Sequence, residues 1–331
     1  MKITLCFLIF LTTGLFAFSQ TDRPTASELM TSYFQLRDDA LGFSSKKISA
    51  EKQAELNELV EKIKAFDEES FEYNYVLYVN GNYNTELSPA LFKAYAFDNT
   101  NEGVIKEMLG FYVLTSNTAK QKEFLTKVQK FYTAAEIAYY ADALPDSKAI
   151  VVTSNQEDMY GFLVAQQVNG IATNVQVINM DFMKNATYRK MVSATVGITD
   201  QDFVGNEKTY LKTMLRAATS KVYISATVPQ DYLSLVSDNV FLTGLSYQYG
   251  SIDQFTALNE FWLKIKTKDM SQLALTRYSE KYLYANYLPP LLTLYMLQPD
   301  DPVLKLTIEA IAAKTGKTAE VNELLKDIET D

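Results

Sequence analysis

At Ala149 the hydrophobic pattern of the chain changes period, and the change divides the sequence into three parts. Before it, apolar residues recur at helical spacing: Leu29, Tyr33, Phe34 and Leu36 share one face, and Leu56, Leu59, Val60 and Ile63 share another. Ser49 stands before the second run as a helix N-cap, and residues 42–47 read as a turn-rich connection. After it come short apolar runs that read as buried strands, Ala149–Thr153, Val175–Asn179 and Val222–Val228. Helical patterns separate them: one from Asn155 to Val168 stopped by Gly170, one through Tyr188 and Met191, and one from Lys208 to Ala218. Strands alternating with helices predict a small parallel sheet. Asn239–Tyr249 is expected to add one further strand at an edge. From Ile252 the helical period returns, with Phe255, Leu258, Phe261, Trp262 and Ile265 on one face. Leu283–Leu297 is apolar with Pro289 and Pro290 breaking its start, and Pro302–Lys314, Gly316 and Thr318–Ile328 form a closing helix pair. The expected fold is a helix-rich α/β class in which helical hairpins flank a small parallel sheet layer. Its segments are 20–145, 146–250 and 251–331.

The N-terminus carries Lys2, an apolar run from Ile3 to Phe18, and small residues at Ala17 and Ser19. These are the parts of a secretory signal, with cleavage expected before Gln20 so that residues 1–19 are removed. The run is shorter than the ~20 residues a membrane-spanning helix needs. The chain is therefore expected to be periplasmic or secreted, with no transmembrane anchor after cleavage. Cys6, the only cysteine, leaves with the signal, and a chain of this length can bury a core without disulfides. Loss of Lys2 takes the formal net charge from −9 to −10. An acidic balance of this size argues against nucleic acid as a partner, because the phosphate backbone is gripped by clustered Lys and Arg.

The sequence contains no histidine. That excludes a Ser-His-Asp or Cys-His nucleophile system, a His-bound zinc, and an imidazole switch near neutral pH. Carboxylate, Lys or Tyr chemistry remains open. No cofactor and no metal site is predicted.

Residues 77–82 recur 34 positions later, with Leu77-Tyr78 matched by Phe111-Tyr112 and Gly81-Asn82 by Thr115-Ser116. Tyr78 to Tyr83, Ala90 to Ala94, Asp98 to Asn101 and Leu109-Gly110-Phe111-Tyr112 together resemble the tetratricopeptide family. Asn99 stands where that family has its exit-turn proline. The resemblance implies helix pairs that each leave one apolar face to be covered by a neighbour. Gly81 is expected to follow a helix end in a left-handed conformation.

The middle part has a second likeness. Ala149 to Asp158, Ala165 to Gly170, Val175 to Met180, Tyr188-Arg189, Val222 to Val228 and Leu242 to Tyr247 resemble, in order, the soluble C-terminal part of bacterial membrane proteins related to protein O-mannosyltransferases. In that family the loop after the first strand has two acidic residues spaced by one; here Gln156 replaces the first and Asp158 remains. The resemblance implies a stand-alone soluble domain lacking the membrane-embedded transferase portion.

In an open parallel sheet, ligands sit at the carboxyl ends of the strands. The loops 154–158, 179–185 and 228–232 are expected to converge there, and Asn155, Asp158, Asn179 and Asp181 are the candidate ligand-binding residues. They would suit a sugar, a peptide amine or a cation. The alternative for the first loop is structural: Ser154 and Glu157 have capping-box spacing, and Asp158 suits the positive end of the helix dipole. A nucleotide is disfavoured, since the loop lacks glycine and holds carboxylates where a phosphate would sit. No carboxylate pair stands out as a glycosidase's. Asp300-Asp301 reads as a helix start, while Asp38-Asp39 and Asp67-Glu68-Glu69 read as solvated helix ends. Tyr139, Tyr140, Tyr278, Tyr282, Tyr284 and Tyr287 could line a groove or fill space between helices.

These readings converge on an exported, non-catalytic protein-interaction or scaffold component of the bacterial cell envelope, with a protein partner there. The alternative is a protein that binds or processes carbohydrate or glycoconjugate. A polar, acidic pocket at the strand ends favours the alternative, and an aromatic concave groove on the helices favours the scaffold.

Overall fold

The structure, a computed structural model, describes residues 24–41 and 48–330. The expected signal segment, its cleavage site and the 42–47 connection lie outside the described residues. Seven helices come first: α1 (Ala26–Leu41), α2 (Ala50–Lys64), α3 (Phe71–Asn80), α4 (Ser88–Phe97), α5 (Glu102–Leu114), α6 (Thr118–Val128) and α7 (Ala134–Ala143). Their starts follow local chemistry. Ser49, Ser70, Asn101 and Asn117 each accept a hydrogen bond from the backbone N–H three residues on, and Thr133 with Glu136 forms a full capping box. The 34-residue recurrence has a backbone counterpart. Asn82 and Ser116 both adopt left-handed conformations, φ 48° and 54°, just after α3 and α5. Gly81 does not: its φ is −70°, and the reversal is made by Asn82 and Tyr83. A β-carbon at 81 would lie 2.3 Å from Leu87 Cδ1 and 3.2 Å from the Tyr78 carbonyl oxygen, so a larger residue there would require the Leu87 side chain to shift.

The sheet follows. β1 (Ala149–Thr153) leads through α8 (Gln156–Asn169) to β2 (Val175–Asn179); α9 (Ala186–Val196) and α10 (Glu207–Ala217) lead to β3 (Lys221–Ser225). A four-residue turn of helix, α11 (Gln230–Leu233), precedes β4 (Val240–Leu242) and β5 (Ser246–Tyr249). The order across the sheet is β2-β1-β3-β5-β4. β1 is parallel to both β2 and β3, with Val151 opposite Val177 and Tyr223, whereas β5 runs antiparallel to β3 and β4. The expected single edge strand over 239–249 is thus a hairpin. Gly244, at φ 128°, turns the chain between its arms, and β5 is interior to the sheet. β3 also ends three residues before Val228, as Ser225 and Thr227 turn to bond each other at 2.7 Å.

Five helices close the chain: α12 (Gln254–Ile265), α13 (Tyr278–Ala285), α14 (Leu288–Leu297), α15 (Pro302–Thr315) and α16 (Thr318–Thr330). Pro289 and Pro290 occupy the opening turn of α14, where their missing N–H groups have no helical partner to lose. Asp301 caps α15, and Gly316 ends it at φ 76°. This is a helix-rich α/β fold. No described helix is long and apolar enough to cross a membrane.

Two cores form, one on each face of the sheet. Ile150, Val152, Ile178, Val222 and Ile224 pack with the N-terminal helices, and Ala149, Val151 and Val175 pack with the C-terminal ones. Strand alternation does the sorting, since successive residues point to opposite faces. Every residue of β1 is buried, as expected of a strand covered on both sides. Helix α7 belongs to the second core through Tyr139, Tyr140 and Ala143, with Leu144 just after it.

Candidate functional site

The chain leaves β1 toward β2 on one side and returns to β3 on the other. The carboxyl ends of β1 and β3 therefore flank a crevice at a topological switch point, where open α/β sheets place ligands. A cleft of about 540 Å³ opens there, within the size range of small-molecule sites. Asn155–Asp158 after β1, Asp181 after β2 and Thr227 after β3 form its floor. Phe34, Arg37 and Asp38 of α1, Tyr83 and Glu107 form one wall, and Tyr132, Glu136, Tyr140, Tyr278 and Tyr282 form the other.

Each of the four sequence candidates has a defined place. Asn155 is the N-cap of α8: its Oδ1 accepts the Asp158 N–H at 2.8 Å, and its Nδ2 donates to Asp158 Oδ2 at 2.7 Å. The cap is thus one residue later than the Ser154–Glu157 pairing expected, because β1 extends to Thr153 and Ser154 is fully buried behind it. Asp158 is buried, and its Oδ1 accepts the Tyr140 hydroxyl at 2.7 Å. Burial pushes its carboxyl above the usual range, against the pull of the hydrogen bonds it accepts. It serves the helix start and the cleft floor at once.

Asn179 is fully buried and does not line the cleft; its Oδ1 accepts the N–H groups of Asp181 and Phe182, which sets the turn after β2. That turn presents Asp181 to the opening. Burial pushes the Asp181 carboxyl up to about 6, with Lys184 and Arg37 holding it partly down and Glu207 pushing the other way. Arg37, Leu41, Tyr83 and Asp181 also line an adjoining cavity of about 520 Å³, toward Lys184, Lys208 and Asp231. Loops 154–158, 179–185 and 228–232 all border this continuous depression.

Residues from far away in sequence complete it. Left-handed Tyr83, at φ 69°, sets its ring edge-on to Phe182 at 5.0 Å, and its carbonyl accepts from Asn185 Nδ2 at 3.5 Å. Arg37 donates to Asn82 Oδ1 at 3.1 Å, so the same turn positions the cleft's cation. Glu107 projects from α5, and burial pushes its carboxyl up while Arg37 lowers it. Two glycines on its helix make room for neighbouring tyrosines. A β-carbon at Gly103 would lie 2.0 Å from the Tyr75 hydroxyl, and one at Gly110 would lie 2.6 Å from the Tyr160 hydroxyl and 3.1 Å from Gln156 Nε2. Gly103, Glu107 and Gly110 follow helical spacing, and that spacing is the one sequence signal that marked this face.

The far wall is tied down by polar contacts. The Tyr132 hydroxyl donates to the Glu157 carbonyl at 2.7 Å, and Lys106 pairs with Glu157 and Glu102 at 2.7 and 2.8 Å. Ser279 Oγ donates to Glu136 Oε1 at 2.7 Å, which docks α13 onto α7. Among the tyrosines marked from sequence, Tyr139, Tyr140, Tyr284 and Tyr287 are buried, while Tyr278 and Tyr282 are 67% and 39% exposed at the cleft. Most fill space between helices; the two exposed rings do not.

A broader depression of about 700 Å³ lies at the amino end of β3, near Lys221, Asp253 and Lys264. Its most deeply placed acid, Asp142, is already taken by Lys268 at 2.6 Å and by the Tyr287 hydroxyl at 2.6 Å. The strand-end cleft, with carboxylates left to pair, is the stronger site.

Among the described residues no three acidic side chains gather in a metal-binding arrangement. Comparison with known proteins finds no matching family model, no similar curated protein and no similar solved structure.

Proposed function

We propose that this chain is an exported, non-catalytic binding protein whose strand-end cleft takes a carbohydrate or the glycan part of a glycoconjugate. The observation that carries the reading is the cleft's composition: carboxylates and amide groups on the floor, exposed tyrosine rings on the wall, in a cavity of about 540 Å³. Carboxylates and Asn accept and donate hydrogen bonds to sugar hydroxyls, and Tyr offers a flat face with a hydroxyl at its edge. The likeness to the soluble part of mannosyltransferase-related proteins supports the same class of ligand. Titration calorimetry with a panel of soluble oligosaccharides tests the reading, with Tyr282→Ala as the control. At least one oligosaccharide should bind, and the variant should weaken it about tenfold, the loss of one stacking contact worth about 1.4 kcal/mol. Failure of the whole panel to bind refutes the proposal.

A second reading, a protein-interaction component of the cell envelope, is supported by the outer surface of the C-terminal helices. Met296, Leu297, Val303 and Leu306 are all more than half exposed there. Capture of an envelope protein that is lost on Leu306→Lys, with no glycan bound, would favour it.

A further inference from the structure

The tripeptide Val-Asn-Gly occurs twice, as Val79-Asn80-Gly81 and Val168-Asn169-Gly170, each time where a helix ends, at the close of α3 and of α8. An asparagine before glycine is open to attack by its own backbone, because glycine has no side chain to shield its nitrogen from the neighbouring amide carbon. The two copies share the residue on each side of the asparagine. Any difference in their reactivity therefore comes from the fold.

At the first copy every reacting group is held. Asn80 Oδ1 accepts from Gln53 Nε2 at 2.9 Å and from the Tyr33 hydroxyl at 3.3 Å, and its Nδ2 donates to Asn57 Oδ1 at 2.8 Å. The Gly81 N–H donates to the carbonyls of Leu77 and Tyr78 at 3.2 and 3.1 Å, and the Leu87 side chain crowds the glycine. The second copy lacks these restraints among the described residues. The Asn169 side chain makes no hydrogen bond there, and the Gly170 N–H makes no helix-capping bond. No atom lies within 4 Å of a β-carbon position at Gly170, and residues 168–171 are all exposed. Gly170 is left-handed, at φ 60°, so Asn169 stands where α8 gives way to a turn, and helix ends fray.

We propose that Asn169 is a site of spontaneous deamidation and isomerisation in the folded protein, and that Asn80 is protected from the same reaction. The Gly170 nitrogen attacks Asn169 Cγ. The new N–Cγ bond closes a succinimide ring as the Cγ–Nδ2 bond breaks, and the amide group leaves as ammonia with the Gly170 amide proton. Water then opens the ring at either carbonyl, giving aspartate or isoaspartate. The net change is a water consumed and an ammonia released, with nothing oxidised or reduced. Either product places a carboxylate at the negative end of the α8 dipole. Isoaspartate also inserts a methylene into the main chain before Gly170, in a turn that Gln166 Nε2 ties to the carbonyls of Ala172 and Val175 at 2.7 and 2.9 Å. Val175 opens β2, so the disturbance falls on the edge strand of the sheet. The reaction is independent of what the cleft binds.

Incubating the purified protein in heavy-oxygen water at mildly alkaline pH tests this, with digestion afterwards in ordinary water and peptide mapping by tandem mass spectrometry. Ring opening during the incubation is what places heavy oxygen in the residue 169 or residue 80 side chain, so deamidation during digestion is not counted. In the folded protein Asn169 should be labelled at least about tenfold faster than Asn80, whose hydrogen bonds must open first. In urea the two rates should come within about threefold of each other, since the unfolded chain presents the same triplet twice. Equal labelling of the two sites in the folded protein overturns the proposal, as does labelling of Asn169 only once urea is added. A preference for Asn169 that persists undiminished in urea overturns it too, because local sequence and not the fold would then set the rates.

Discussion

Gly161→Ala should destabilise the protein by about 1.5–5 kcal/mol although alanine is the better helix former. Gly161 lies inside α8 against the ring of Tyr140, and an added β-carbon would stand 2.1, 2.4 and 2.5 Å from Tyr140 Cε2, Cδ2 and Cζ. Ordinary carbon contacts are about 3.5–4.0 Å, so the ring would have to retreat by more than about 1 Å. It has nowhere to go. Phe162 and Tyr139 hold it edge-on at 5.1 and 5.3 Å, and its hydroxyl is fixed to Asp158 at 2.7 Å. Overpacking of this kind costs about 1–3 kcal/mol. Loss of the bond to the Asp158 carboxylate adds about 1.5–3 kcal/mol, and the helix-propensity gain returns about 1 kcal/mol. Urea unfolding followed by circular dichroism measures the difference as a lower midpoint with unchanged slope. The decisive arm is the double mutant. Once Tyr140→Ala has removed the ring, adding Gly161→Ala should be neutral or stabilising by up to about 1 kcal/mol. If Gly161→Ala alone matches the wild type, or if its cost persists without the Tyr140 ring, the packing argument fails.

Asp181→Asn should stabilise the protein at neutral pH. The folded pKa of about 6 lies above the ordinary 3.8, so the folded state holds the extra proton between those values and stability falls as pH rises through them. Allowing for water in the cleft, the variant should gain about 1–2 kcal/mol at pH 7 and nothing below pH ~4, read from unfolding midpoints across pH. Asp301→Ala removes the cap from Val303 and Leu304 and the acceptor of Trp262 Nε1 at 3.2 Å. It should cost about 1–2 kcal/mol and change the emission of the single tryptophan, and an unchanged spectrum would count against that contact. Tyr287→Phe leaves Asp142 with Lys268 but without the 2.6 Å hydroxyl bond, for a loss of about 1.5–3 kcal/mol in the same unfolding assay. Intact mass after native expression should show a chain beginning at Gln20 or Thr21, and a product retaining Cys6 would refute export by this signal.

The parallel strands were legible because each is a short apolar run bounded by polar residues, and α8 was legible from Asn155 to the left-handed Gly170. The hairpin at 240–249 was misread because both arms are only three or four residues long. Gly244 was the mark between them, carrying a backbone that other residues rarely adopt. The shift of the α8 cap by one residue depended on where β1 stops, and two chemically suitable caps stood side by side. The floor of the cleft was accessible to sequence reasoning because strand-end loops are local. Arg37, Tyr83 and Glu107 were not. They reach the site from α1, the turn after α3 and α5, and nothing local says that a solvated-looking arginine or a glutamate on an apolar helix will face a loop more than 45 residues away. Gly103 and Gly110, on the same helix as Glu107, marked only the close approach of Tyr75 and Tyr160 to it, since glycine inside a helix is unfavourable without a close neighbour.

The two-faced sheet has a consequence for the order in which the molecule can be completed. Ile150 and Val152 belong to one core and Ala149 and Val151 to the other, so a single five-residue strand is a component of both. A chain emerging from its N-terminus presents helices α1 to α6 with an apolar face that only the later strands can cover. The C-terminal helices then have to dock on the opposite side of those same strands. The wall bearing Tyr278 and Tyr282 arrives last, sealing the side of the cleft where Tyr140 holds Asp158. If the cleft binds a glycan as proposed, binding would report on full-length synthesis, since a chain clipped before residue 278 would lack both tyrosines of that wall and the Ser279 hydroxyl that Glu136 accepts.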